Sequence, residues 1–374
     1  MSFLAGLSPA LQARLEQLKA RLSPHTSRAY LVGGVVRDLV LGRCVDDLDV
    51  EVYDIAPDAF ERLMGAWGAK GVGKSFFVYK WEGVDLSLPR TEEKIARGHR
   101  GFAVEVCQEE RTASMRRDFT MNALMVNLFT GEVLDFWGGR EDIGQKKIRL
   151  IDPQLFAQDP LRVLRGVRFA ATLGFRIEEK TLEVMAALGL EELSQTRISW
   201  EMEKLFVAPF YAHGVLYMYR LGLFASVLGC TPSKTAVLRF ARTLLRHKPY
   251  VLDHLKPYYW LFHGCFILGL ERKKIIAKLA LPSHYGRMLL HVPYKEGPMS
   301  DYALVEVAFE RPLRLWVGVC CKGRVQRAKE LGVYERPFEG PVRPSALKEE
   351  GFFGKALGDE LKKRTIAYAK SLYM

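Results

Sequence analysis

The chain has 374 residues, enough for two or three domains, and 49% hydrophobic against 26% charged residues is the balance of a folded globular protein, not a disordered one. Its longest apolar run, Tyr258 to Leu270, is 13 residues and contains His263, short of the roughly 20 that a bilayer-spanning helix needs. Met1 to Ala10 carries no charge, so the basic-then-apolar layout of a signal peptide is missing and a cytoplasmic location is expected.

Six cysteines, Cys44, Cys107, Cys230, Cys265, Cys320 and Cys321, are scattered without CxxC spacing or a companion His pair, which argues against a zinc site and a disulfide framework. Cys320 and Cys321 follow the apolar run Leu315 to Val319, the setting of buried free thiols. The net charge of +12 is unevenly placed. Up to Ser199 there are 27 Lys and Arg against 28 Asp and Glu, whereas from Trp200 onward there are 28 against 15. A surplus of this kind describes either a solvated face or a surface for a polyanion.

In chain order, residues 1–28 read as an amphipathic helix ending near Ser23-Pro24, followed by a strand at Ala29 to Val32 that meets Gly33-Gly34. A helix from about Val35 to Leu41 stops at Gly42, and Leu48 to Tyr53 alternates acidic and apolar residues, the period of a half-buried strand. Further strands are expected at Phe76 to Trp81, Val84 to Leu88, Phe102 to Val106, Ala123 to Asn127 and Val133 to Asp135. From about Asp159 the spacing becomes helical, with Arg162, Arg165 and Arg168 three apart. Helices broken by Gly and Pro then continue to the C-terminus. The layout is a mixed α/β head of about 150 residues and a long helical remainder.

Asp47 and Asp49 stand two apart at the start of a predicted strand, so both carboxylates face one side, as a Mg²⁺ site with oxygen ligands requires. By itself a D-x-D also describes a solvated acidic turn. Gly33-Gly34 closes a strand and opens a helix, where bare backbone amides can receive phosphate. Arg37, one turn on, can reach a triphosphate, or Asp38 can fix it as a structural partner.

Together, LVGGVVRDLVLGRCVDDLDVEVY (Leu31 to Tyr53), RRDFTMNAL (Arg116 to Leu124), LDFWGGREDIGQKKIRLI (Leu134 to Ile151) and DPLRVLRGVRFAA (Asp159 to Ala171) resemble the ordered motifs of class II tRNA nucleotidyltransferases, the CCA-adding enzymes, and the similar bacterial poly(A) polymerases. The resemblance runs from about Leu31 to Phe206. It implies an α+β fold: a polymerase-β-like nucleotidyltransferase head with a mixed sheet (1–150), then an elongated all-helical neck (151–210), body (211–298) and tail (299–374). It also implies that Asp47 and Asp49 hold two Mg²⁺ ions and are catalytic, that Gly33, Gly34 and Arg37 contact the triphosphate, and that Arg117, Asp118 and Asn122 surround ribose and base. Asp159 and Arg162 would act as a protein template for CTP and ATP, since a carboxylate and a guanidinium can satisfy the pairing edge of cytosine; Arg165 would face the phosphates. The RNA substrate implied is the tRNA 3′ acceptor end.

Departures from the family pattern are few. Gln158 stands where a Glu is usual, and Asp85, in Asp85 to Arg90, is a candidate third carboxylate or a structural partner. The loop Thr91 to Arg100 is full length, which argues against an enzyme that adds the two cytidines alone. Ser75 and Lys80 stand where poly(A) polymerases carry a basic pair and a His, which favours tRNA over the poly(A) alternative; a non-catalytic RNA-binding descendant is the third reading. Asp253-His254 is in reverse order for a phosphohydrolase motif. Pro344 to Lys363 is similar to the family's C-terminal segment, and the basic surplus supplies candidate tRNA contacts at Arg239, Arg242, Arg246, Arg272, Lys273, Lys274, Arg324 and Arg327.

Overall fold

Short hydrophobic strands with polar interruptions build one mixed sheet in the first half of the chain. The computed structural model describes residues 6–73, 77–94 and 102–374 and divides into two units, Met1–Ile198 and Ser199–Met374. The first comprises α1 (Pro9–Leu22), β1 (Ala29–Val32), α2 (Gly34–Val40), β2 (Leu48–Val52), α3 (Pro57–Ala66), β3 (Lys70–Gly73), β4 (Val78–Trp81), β5 (Val84–Ser87), β6 (Arg90–Lys94), β7 (Phe102–Val106) and α4 (Glu110–Met115). A single 3₁₀ turn (Thr120–Asn122) follows, then β8 (Met125–Asn127), β9 (Val133–Leu134), α5 (Gly139–Gly144), β10 (Lys147–Ile148), α6 (Pro153–Ala157), α7 (Leu161–Leu173), β11 (Arg176–Ile177) and α8 (Glu179–Ala186). The unit boundary falls within α9 (Gln195–Phe206).

The main sheet has the order β3-β4-β5-β2-β1-β8-β9. β1, all four residues buried, lies antiparallel to both its neighbours, as a strand covered on two faces must be apolar throughout. β2 runs parallel to β5, and their register sets Asp49 directly beside Asp85. The expected strands at Ala29 to Val32 and Phe102 to Val106 match residue for residue. The stretch read as a loop from Thr91 differs: its first residues belong to β6, paired antiparallel with β7, while residues 95–100 and Ser75 lie outside the described residues. RTEEK carries no apolar alternation, so only its pairing with β7 makes it a strand.

Two close approaches fix the segment that follows the sheet. A Cβ on Gly139 would stand 2.4 Å from the carbonyl oxygen of Thr120, so α5 lies directly against the 3₁₀ turn. Asp135 holds the start of α5 by accepting from the Gly139 and Arg140 amides at 2.7 and 3.0 Å. A Cβ on Gly166 of α7 would meet Phe119 at 3.0 Å, and Phe119 packs edge-on against Phe156 and Phe169. Gly174, left-handed at φ 72°, ends α7. The segment 118–122 is thereby wedged between α5 and α7.

The second unit is helical: α10 (Tyr211–Arg220), α11 (Lys234–His247), α12 (Lys256–Ile267), α13 (Arg272–Lys278), α14 (Ser283–Leu289), α15 (Asp301–Ala308), α16 (Arg324–Glu330), α17 (Pro344–Glu349) and α18 (Gly354–Tyr373). α12 buries every residue from Tyr259 to Cys265, the mark of a helix surrounded by others. Its Trp260 stacks on Phe206 at 5.0 Å and meets Phe240 edge-on at 4.9 Å. Cys265 and Cys320 are buried and Cys321 is half-buried, all as free thiols. Among the described residues no helix is long and apolar enough to cross a membrane.

Gly139→Ala should lower stability by about 2 kcal/mol or more, because the added methyl meets backbone and not a side chain that can turn aside; a denaturant midpoint checks this. His263 of α12 is buried and donates or accepts at 2.9 Å with the Tyr294 hydroxyl, and burial, with His247 and Arg324 nearby, brings its pKa down to about 3. The unfolded chain takes up that proton near pH 6.5 and the folded one does not, so stability falls as pH drops from about 6.5 toward 3. The loss of thermal midpoint over that range should be smaller in His263→Gln.

Candidate active site

The strand-to-helix turn after β1 is the fixed corner of a cleft of about 440 Å³ in the first unit. Gly33 has φ 76°, which favours glycine, and a Cβ there would lie 2.9 Å from Arg117 Nη1 and 4.0 Å from Asp49 Oδ2. The bare Cα therefore lets an arginine and a carboxylate come together over the turn. Seven arginines and three aspartates line the cleft, a formal excess of four positive charges, suited to a ligand with several negative charges. Of the sequence-predicted residues it brings together Gly33, Gly34, Arg37, Asp49, Arg117, Asp118, Asn122, Asp159, Arg162 and Arg165. Arg116, Arg168, Phe169 and Arg197 line it as well, without having been singled out as site residues.

Asp49 lies on β2 beside Asp85 of β5, and Asp47 immediately precedes the strand. Although the Asp49 side chain keeps contact with solvent, desolvation by the cleft walls raises its pKa; Arg117 opposes this, and Asp85, Asp47 and Glu51 add to it. Asp85 Oδ1 is buried and accepts no hydrogen bond, and Lys80 Nζ forms an ion pair with it at 3.4 Å. Neighbouring carboxylates, one with an oxygen that accepts no hydrogen bond, are a donor set that fits a hard divalent cation. Among the described residues no group of three His, Cys, Asp or Glu side chains is placed to hold a metal ion, so an ion at Asp49 would take most of its shell from phosphate or water.

A chain of polar contacts connects the two sides of the cleft. Asp38 accepts from Arg37 Nε and Nη2 at 3.0 and 2.7 Å, so Arg37 is both a lining residue and a fixed one. Arg37 Nη1 donates to Asn122 Oδ1 at 2.7 Å; Asn122 Nδ2 donates to Asp118 Oδ1 at 2.9 Å; Arg165 Nε donates to Asp118 Oδ2 at 2.7 Å. Burial alone would raise the Asp118 carboxyl, but Arg165, the Asn122 amide and Arg162 outweigh it and bring it down to about 2. Asp118 and Asn122 thus orient arginines from α2 and α7.

At the α6–α7 end, Arg162 donates to the carbonyls of Leu155 and Arg116 at 2.9 and 2.6 Å. Asp159 accepts from the Leu161 amide at 3.2 Å and from Arg197 Nη2 of α9 at 2.8 Å. On β2, Glu51 is almost fully buried and accepts from Arg116 and Arg117. Burial would raise its carboxyl, yet Arg117, Arg116 and Arg90 hold it below the ordinary range. Its acidic place in the LDVEVY alternation was the available signal.

A larger cavity of about 1030 Å³ lies in the second unit, with Arg239, Arg242, Arg246, Lys295, Lys322, Arg324 and Arg327 against a single acidic residue, Glu296. Among the described residues Arg242, Arg246 and Lys322 have no ion pair, whereas Arg239 is held by Glu296 and Arg327 by Asp301 and Glu330. Two of the sequence-derived RNA candidates have another job. Arg324 is buried and donates to the carbonyls of Gly318, Lys295 and Gly297, and Arg272 donates to those of Leu289 and Val292. Lys274 pairs with Glu271, and neither it, Lys273 nor Arg272 lines the cavity.

Residues 29–149 match the family described as "Poly A polymerase head domain" and residues 174–233 the one described as "Probable RNA and SrmB- binding site of polymerase A". The chain is 39% identical over 340 residues to a "Multifunctional CCA protein" of Pasteurella multocida, covering 81% of this chain and 76% of that protein. It is 41% identical over 194 residues to one of Stenotrophomonas maltophilia, covering 48% and 46%. The chain thus spans about half the length of several of the curated relatives it matches. The crystal structure of the Bacillus stearothermophilus CCA-adding enzyme in complex with CTP is similar with a TM-score of 0.72 at 24% identity, covering 98% of each chain, a likeness of fold.

Asp118→Asn keeps the shape of the relay and removes its charge, leaving Arg165 without its carboxylate. Because Arg165 is about a third exposed, a loss of about 2 kcal/mol is expected, less than for a fully buried pair. Chemical denaturation beside the parent protein measures it.

Proposed function

This chain belongs to the CCA-adding family of nucleotidyltransferases, and we propose that it adds CMP and AMP from CTP and ATP to the 3′ end of tRNA. The observation that carries the reading is the cleft in which Asp49, with Asp85 in register beside it, faces arginines from α2 and α7 and the segment between them. Nucleotidyl transfer needs that combination: a carboxylate set at the attacked α-phosphate and fixed cations along the triphosphate.

In this reading Asp47 and Asp49 would hold two Mg²⁺ ions, and Asp85, in register beside Asp49, is the candidate third carboxylate. When bound, the ions supply activation of the tRNA 3′ hydroxyl and charge neutralisation of the departing pyrophosphate. Gly33 and Gly34 leave room for the phosphates, and Arg37 and Arg117 bind them. Asp118 and Asn122 keep Arg37 and Arg165 in place. Asp159 accepts from the exocyclic amine of cytosine or adenine, while Arg162, anchored on two carbonyls, donates to the ring acceptors. The tRNA backbone is gripped by the helical unit, chiefly through Arg242, Arg246 and Lys322, whose charges are unpaired among the described residues, with Arg239 and Arg327 at the edges. A cytoplasmic site of action goes with that substrate.

The test is incubation of the full chain with labelled CTP or ATP, Mg²⁺ and tRNAs ending before, within or after CCA. Additions should complete CCA and stop, and Asp49→Asn should abolish incorporation with the thermal midpoint unchanged. An adenylate tail of open length on any RNA would replace this reading with poly(A) polymerase, and a fully active Asp49→Asn would remove the metal assignment.

A further inference from the structure

Two arginines of the cleft hang from one buried carboxylate oxygen. Glu51 sits two residues beyond Asp49 on β2, on the same strand face, and its Oε1 receives Arg116 Nη2 and Arg117 Nη2, each at 2.8 Å. Tyr53 donates its hydroxyl to the other oxygen at 3.3 Å. Arg117 Nε is buried with no hydrogen-bond partner, so Glu51 is the one acceptor its side chain has among the described residues. The far side of the same guanidinium, Nη1, lies 2.9 Å from the point where a Cβ on Gly33 would stand, and Asp49 Oδ2 lies 4.0 Å from that same point.

We propose that Glu51 is a positioning residue that holds Arg117 beside the Asp49 carboxylate while keeping it off that carboxylate. The proposal rests on the nucleotidyltransferase reading of the cleft. A free guanidinium at this corner would turn to a nearby anion, and without the Glu51 carboxylate Asp49, which already feels the charge of Arg117, is available to it. An Arg117–Asp49 ion pair would then compete twice, once with the triphosphate for the arginine and once with the divalent cation for the aspartate. Glu51 prevents both by being the better-placed acceptor: it is buried, already ordered by Tyr53, and shared with Arg116. Its reach matters too, since an Asp at this position is one methylene shorter and cannot meet two guanidiniums at 2.8 Å with the same backbone.

The test compares the parent chain with Glu51→Gln and Glu51→Asp. CTP affinity is read without turnover by calorimetry in Ca²⁺, and single-nucleotide addition is followed as Mg²⁺ is titrated. In Glu51→Gln the CTP dissociation constant should rise about tenfold, the loss of one charge-assisted hydrogen bond. The Mg²⁺ needed for half-maximal addition should rise severalfold, with most of the maximal rate recovered at saturating CTP and Mg²⁺. Glu51→Asp, which keeps the charge, should fall between the two and carries the test if Glu51→Gln does not fold. A folded variant with the CTP affinity and the Mg²⁺ requirement of the parent overturns the proposal. A parent chain that adds no nucleotide overturns the functional reading instead, and the calorimetry still tests Glu51.

Discussion

The contact on which the site depends is the carboxylate of Asp118, buried between an arginine and an amide. It receives Arg165 on one oxygen and Asn122 on the other, and Asn122 passes the connection to Arg37. A buried charge of this kind is tolerated only when its partners are in place, so the whole relay stands or falls together. Its geometry is set from outside by close packing, the backbone of α5 against Thr120 and the glycine of α7 against Phe119, and by Asp142 of α5, which accepts from the Thr120 hydroxyl at 2.6 Å. Close packing around the segment fixes where the polar groups meet.

Much of this is legible in the sequence because the motif residues act locally. Gly33-Gly34 lies at a strand-to-helix turn whatever the rest of the fold does, and the alternation of LDVEVY is enough to mark the strand that carries Asp49. Asp38 is legible in the same way, as an immediate neighbour able to fork onto Arg37. The parallel pairing that brings Asp85 beside Asp49 could be suspected from the acidic strand ends, but only the sheet order gives its register.

What escaped the sequence depends on distant partners or on burial. Glu51 reads as one more polar residue of an alternating strand until Arg116 and Arg117 are found on it. Arg197 sits in a helix without any marked pattern, and only the fold sets it on Asp159. Arg324 and Arg272 show the converse: counting charge placed them on an RNA surface, whereas their guanidiniums satisfy main-chain carbonyls inside the helical unit. A net charge does not distinguish a cation facing water from one that ties a loop.

The contacts that define the cleft join residues far apart along the chain: Arg37 to Asn122 across 85 positions, Glu51 to Arg117 across 66, Asp118 to Arg165 across 47, Asp159 to Arg197 across 38. Closing loops of that size comes late in folding, after local helices and hairpins exist. During synthesis the last of these partners, Arg197, leaves the ribosome after all the others. A nascent or truncated chain that ends before Arg197 therefore lacks the ion pair that holds Asp159 and one of the arginines that line the cleft.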